Sequence, residues 1–170
     1  HVYATMFSTF YLALFLMLVA LILRGAAFEL RSRHESLTWR KGWDCAICFG
    51  SAVPAFLWGV AVTNLLCGLP INANMIYTGS FFTLLTPYTI VGGLAFFFVF
   101  TFHGAAFLTL RLASKGMIIH LRHMAQKLGL VAIICFVFCI LLTYTSTDLF
   151  QHTLAVVLLF AAALSFIFAY

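Results

Sequence analysis

Long stretches of this chain carry no formal charge, and the short stretches between them carry nearly all of it. Thr5–Leu23 is charge-free and stops at Arg24. From Cys45 to Leu110 there is no Asp, Glu, Lys or Arg. One helical crossing of a bilayer takes about 20 apolar residues, so this run is too long for a single span. Gly68, Pro70, Gly79 and Pro87 punctuate it, dividing it into spans over about 45–67 and 88–110. Further apolar runs cover 128–145 and 153–170. The phenylalanine runs show no strand-like alternation, and irregular backbone does not face lipid. The pattern predicts an all-α, polytopic transmembrane bundle of about five helices (5–23, 45–67, 88–110, 128–145, 153–170), one domain over 1–170.

Composition supports this. Of 170 residues, 65% are hydrophobic and 8% charged, against about a quarter charged in soluble domains. That excludes a water-soluble globule, a disordered chain and a disulfide-built scaffold. The chain opens inside an aromatic-rich segment at His1 and reaches Tyr170 within an apolar run, so it reads as a piece of a longer polypeptide. The cysteine count is odd, five, with Cys135 and Cys139 inside an apolar run, which favours reduced, packed thiols.

The distribution of bases sets the expected direction. Arg24, Arg31, Arg33, Arg40 and Lys41 lie between spans one and two, and Arg111, Lys115, Arg122 and Lys127 between spans three and four. These are all nine bases in the chain. Under the positive-inside rule, loops 24–42 and 111–127 face the cytoplasm. A net charge of +5 is thereby explained by the membrane rather than by nucleic acid. Within 111–127, Ile118, Leu121 and Ala125 share a helical face with Leu128, which predicts an interfacial basic connector helix against anionic headgroups. Trp39, Trp43, Tyr3 and Tyr88 fall near span ends as aromatic anchors, and Pro54 is expected to kink span two.

Ionisable groups inside a bilayer cost about 2.5–3.5 kcal/mol or more, so each one demands a reason. Arg24 ends span one and can snorkel. Glu29 has two readings: a helix-end pair with Arg33 four residues on, or a proton-accepting carboxylate at the mouth of a membrane machine, with Arg24 nearby. Basic neighbours would lower its pKa and burial would raise it. His103 reads as the one histidine deep in a span. A bis-histidine haem needs a second histidine at similar depth, and none appears. The small residues Gly104, Ala105 and Ala106 after it favour close packing with a polar contact, as does Asn64 in span two. Cys45 and Cys48 form a C-x-x-C without the further ligands of a zinc site. No nucleotide, phosphate-loop or hydrolase motif occurs. No catalytic, cofactor-binding or metal-binding residue is assigned.

Several runs resemble subunit II of bacterial cytochrome bd quinol oxidases. The first is RGAAFELR, with Arg24, Gly25, Ala27, Phe28, Glu29 and Arg31 in the matching positions. The second is the stretch from Trp39 to Pro70, matching at Arg40, Trp43, Asp44, Gly50, Ser51, Pro54, Gly59, Asn64 and Gly68. The third holds the Y-T-G, N-P-[FY] and [HQ]-G-A elements, with Thr86 where the family commonly has Asn. The likeness covers residues 1 to about 125.

The resemblance implies a heterodimeric oxidase of a bacterial plasma membrane that oxidises quinol and reduces dioxygen to water. Haem b and haem d are then expected in partner subunit I. This chain would support that subunit, with a possible part in proton or oxygen access, and a small accessory transmembrane subunit would be a further candidate partner. Glu29 falls at an acidic position of the family, which places it, with Arg24, on a candidate proton-entry route. The rival from a different class is a small multispan transporter or channel component, with His103 and Asn64 lining its path.

Overall fold

A computed structural model describes residues 2–72 and 77–147, together with 161, 164 and 165. The fifth predicted span, 153–170, otherwise lies outside the described residues. Five α-helices are seen among the described residues: α1 (Val2–Thr9), α2 (Tyr11–Leu30), α3 (Leu37–Cys67), α4 (Pro87–Arg111) and α5 (Lys115–Ser146). A short 3-10 turn, Phe81–Leu84, precedes α4. Helices α2 to α5 are each long and apolar enough to cross a membrane.

The first predicted span maps onto the end of α1 and most of α2. The two are separated only at Phe10, and the amide of Leu14 still bonds the Phe10 carbonyl at 2.8 Å. Span two ends at Cys67 as expected because Gly68 follows with φ +91°, a conformation that an L side chain disfavours. Its start differs: α3 begins eight residues before the apolar run, at Leu37. Nothing in TWRKGWD breaks a helix, so it continues out of the apolar zone. The helix also runs through Pro54, which lacks the amide that would bond the Gly50 carbonyl. Helix α4 begins at Pro87 behind a Thr86 cap, whose Oγ1 accepts from the Thr89 amide at 3.3 Å. Asn caps helices as well as Thr does, so Thr86 in the family's Asn position preserves this function.

The basic connector is corrected. Residues 115–127 are not a separate interfacial helix but the first turns of α5, which continues unbroken to Ser146. Gly116 lies in the first turn, where it costs little, and no proline follows. The segment therefore elongates the spanning helix.

Helices α2–α3, α3–α4 and α4–α5 pack as successive neighbours. The α3–α4 joint is made by glycines. A Cβ on Gly59 would lie 2.5 Å from the Gly92 carbonyl and 2.8 Å from the Gly93 Cα, so only glycine allows the two backbones this close. Gly50 does the same for α2, lying against Ala20 and the Cβ of Arg24. By contrast Gly104, expected to bring helices together, has open space around it. Large apolar side chains such as Phe15, Phe49, Phe100 and Phe138 stay exposed on the outside, as expected of helices with hydrocarbon or further helices around them.

Candidate functional site

At the neutral end, buried polar groups converge on one carbonyl. Asn64 is only 6% exposed, and its Nδ2 donates to the Val60 and Leu84 carbonyls, each at 2.8 Å. The hydroxyl of Thr89 donates to the same Leu84 carbonyl at 2.7 Å and accepts from the Thr86 amide at 2.9 Å. Asn64 thus ties the end of α3 to the turn before α4, which is a structural duty. A short antiparallel bridge, Ile71 to Tyr77, closes the base of this connection. On the other side of α4, the Tyr88 hydroxyl lies 2.9 Å from Thr143 Oγ1, which donates to the Cys139 carbonyl at 2.7 Å. Since Thr143 has one proton, Tyr88 is the donor of this pair.

That bond fixes the register of α4 against α5. Counting fifteen residues along α4 from Tyr88 and fifteen back along α5 from Thr143 brings His103 level with Leu128. This count places His103 near the level at which the charge-free part of α5 begins. The imidazole is exposed and makes no polar contact among the described residues, contrary to the packed polar contact expected for it. The contact of Gly50 with Arg24 places Arg24 at a similar level through α3. Arg24, His103 and Lys127 thus form one polar belt at the basic side. From Leu128 to Ser146, α5 rises about 28 Å at 1.5 Å per residue, close to the thickness of the hydrocarbon core.

In the charged cluster beyond the belt, Glu29 takes the first of its two expected arrangements, the helix-end pair. Glu29 and Arg24 are not brought together. The Arg24 guanidinium lies over the Phe28 ring at 5.7 Å, pointing toward the basic end as a snorkelling side chain does. Glu29 pairs instead with Arg33 at 3.6 Å, both well exposed, an i,i+4 contact worth little in water. The stronger link was not expected: Arg31 Nε donates to Asp44 Oδ1 at 2.5 Å and Nη2 to Oδ2 at 3.3 Å. This two-pronged bond joins the last turn of α2 to the part of α3 that precedes its apolar run. It holds the Asp44 carboxyl below the usual carboxylate range and raises the Arg31 guanidinium, in both cases chiefly through the hydrogen bond itself. One signal for it was present: Arg31 and Asp44 flank a short connection between two antiparallel helices. Nearby, Trp39 Nε1 donates to the Leu30 carbonyl at 2.9 Å, and the rings of His34, Trp39 and Trp43 meet edge to face.

Among the described residues no group of three His, Cys, Asp or Glu side chains is placed to hold a metal ion. Cys45 and Cys48 are both free and exposed. His34 lies in the α2–α3 connection, His120 and His123 lie in the first turns of α5 before Lys127, and His103 stands at the belt with its ring turned outward. The described part of the molecule is a helical membrane scaffold with clasped connections.

Comparison with known proteins gives this scaffold its family. The cytochrome bd terminal oxidase subunit II family matches residues 1–170. The chain is 40% identical over 141 residues to the cytochrome bd-I ubiquinol oxidase subunit 2 of Escherichia coli K12, covering 79% of this chain and 36% of that protein. It is 40% identical over 140 residues to a probable cytochrome oxidase subunit 2 of Haemophilus influenzae, covering 80% of this chain and 37% of the relative. To the cytochrome bd ubiquinol oxidase subunit 2 of Bacillus subtilis it is 37% identical over 155 residues, covering 88% and 44%. The chain belongs to the cytochrome bd oxidase subunit II family and spans less than half the length of these curated relatives.

Proposed function

We propose that this chain works as subunit II of a membrane quinol oxidase, seated beside a haem-bearing subunit I in a bacterial plasma membrane. The observation that carries the reading is the family match along the whole chain, with two relatives at 40% identity. On this reading the haems of the partner supply electron transfer from quinol to dioxygen, and no step of that chemistry is routed through residues of this chain. Its own residues fix the helices: Gly59 against Gly92, Tyr88 to Thr143, Asn64 to Leu84, and Arg31 to Asp44. The positive-inside rule supports the two basic ends facing the cytoplasm. Glu29, exposed just beyond the belt, then offers a carboxylate to protons arriving from that side, with Arg24 one turn further in.

The test is purification through a tag on this chain, followed by an absorption spectrum. Haem b and the far-red band of haem d, with a second large subunit in the preparation, are expected. A colourless preparation without a partner subunit would overturn the reading and favour a transporter component.

A further inference from the structure

An open cup of about 630 Å³ lies where the α2–α3 connection enters α3. Its walls include His34, Ser36, Thr38, Trp39 and Trp43, with Gly42 as floor. The bond from Trp39 to the Leu30 carbonyl holds that ring in place, and the His34 and Trp43 rings are set against it. Two hydroxyls of the cup make no hydrogen bond among the described residues. Ser36 precedes α3 without making a capping bond, and Thr38 makes no hydrogen bond among the described residues. The charges around the cup are sorted in the same way. Arg31 is held by Asp44 and Arg33 by Glu29, and Arg24 rests on Phe28. Arg40 and Lys41, on the turn that carries Trp39 and Trp43, have no ion-pair partner among the described residues. Glu35 is likewise unpaired among the described residues, so Arg40, Lys41 and Glu35 together leave one positive charge and Arg24 adds a second. Ala46 completes the lining, and Phe49, three residues further along α3, is 63% exposed.

We propose that this cup holds the phosphate headgroup of an anionic phospholipid. Aromatic walls on a polar rim suit the headgroup layer, where Trp is at home. The hydroxyls of Ser36 and Thr38 are donors for phosphate oxygens, and Arg40 and Lys41, which lie beside the cup and not in its lining, add positive charge from neighbouring positions of α3. The Phe49 side of α3 takes an acyl chain, an apolar contact that a free phosphate ion would not use. Each basic residue near a membrane surface is worth about fivefold in affinity for anionic lipid. The inference does not rest on the oxidase reading, since lipid occupancy is measured without turnover.

The experiment uses the intact purified complex and a photoactivatable phosphatidylglycerol with its reactive group near the head. Labelling is expected on the peptide containing Trp39 and Trp43. Unlabelled phosphatidylglycerol should compete at least about fivefold better than phosphatidylethanolamine. The variant Arg40→Gln/Lys41→Gln should lower labelling of this peptide, with labelling elsewhere unchanged. If that variant does not assemble, Ser36→Ala/Thr38→Val keeps the charges and should still reduce labelling at the cup. Absence of label from this peptide, equal competition by the zwitterionic lipid, or unchanged labelling in the variants would overturn the proposal.

Discussion

At its basic end the α2–α3 hairpin carries three acids among its bases, Glu29, Glu35 and Asp44, whereas the α4–α5 hairpin carries four bases and no acid. The first is closed by Arg31–Asp44 and by the Trp39 bond to the Leu30 carbonyl. The second has no ion pair of its own. Its Arg111 rests on the Phe107 ring at 5.4 Å, and its helices are held by small buried residues, Ala125, Gly129 and Ala132, and by Tyr88–Thr143 at the far end. The contrast shows two ways to pair antiparallel membrane helices. One fixes the connection with polar groups in the wet zone, where exchange with water keeps each bond weak. The other fixes the register at the opposite end, where a buried bond has no water to compete with it, and leaves the connection to electrostatic attraction by the membrane surface.

The largest expected effect comes from the joint between the two hairpins. Gly59→Leu must push α3 off the α4 backbone and should cost about 3 kcal/mol, seen as a large drop in thermal midpoint and yield of the purified complex. Gly104→Leu, made in open space, should leave both unchanged. Equal effects of the two substitutions would mean that the close joint does not hold the hairpins together.

Next come Tyr88→Phe and Thr143→Val. Each should destabilise the α4–α5 pair by about 1 kcal/mol, and a double-mutant cycle should show that the two losses do not add. Additive losses would show that this bond does not set the α4–α5 register. A smaller effect separates the acids of the first hairpin. Asp44→Asn should speed hydrogen exchange and proteolysis at residues 31–37, while Glu29→Gln should leave both as they were. Slowed oxidase turnover in Glu29→Gln, with haem content unchanged, would support the proton-entry role. Unchanged turnover would reduce Glu29 to a helix-end partner of Arg33.

The smallest effect is in pH. The folded protein holds the Asp44 carboxyl below its unfolded value of about 3.9, so the bridge contributes fully above that value. Its contribution is lost only as pH falls through the lower, folded value. Protection of residues 31–37 should be flat across the neutral range and fall only in acid, and Asp44→Asn should remove that fall. Loss of protection near neutral pH would mean that another group closes this hairpin.

Much of this architecture is legible in the charges and punctuation. Gly68, Pro87 and the charge-free runs mark the end of α3 and the limits of α4 closely, because a positive-φ glycine ends a helix and a proline suits its first position. The start of α3 and the unity of α5 were hidden for one reason. Charge reports where the apolar zone ends, not where a helix ends, and TWRKGWD and KGMIIHLRHMAQK are compatible with helix in water. His103 looks central when counted within its own apolar run, whereas the Tyr88–Thr143 bond sets it level with the start of the charge-free part of α5. The spacing of Glu29 and Arg33 gave their i,i+4 pair correctly, whereas the Arg31–Asp44 clasp joins residues thirteen apart across a turn, where helical spacing carries no information. Asn64 was legible as a buried polar group but not as the fastener of the following turn.

The backbone contact of Gly59 with Gly92 has a mechanical consequence. Two rods that touch through their main chains have no compliant side-chain layer between them to absorb sliding or rocking. Any displacement of one hairpin must carry the other along as one piece, with the give confined to their outer surfaces.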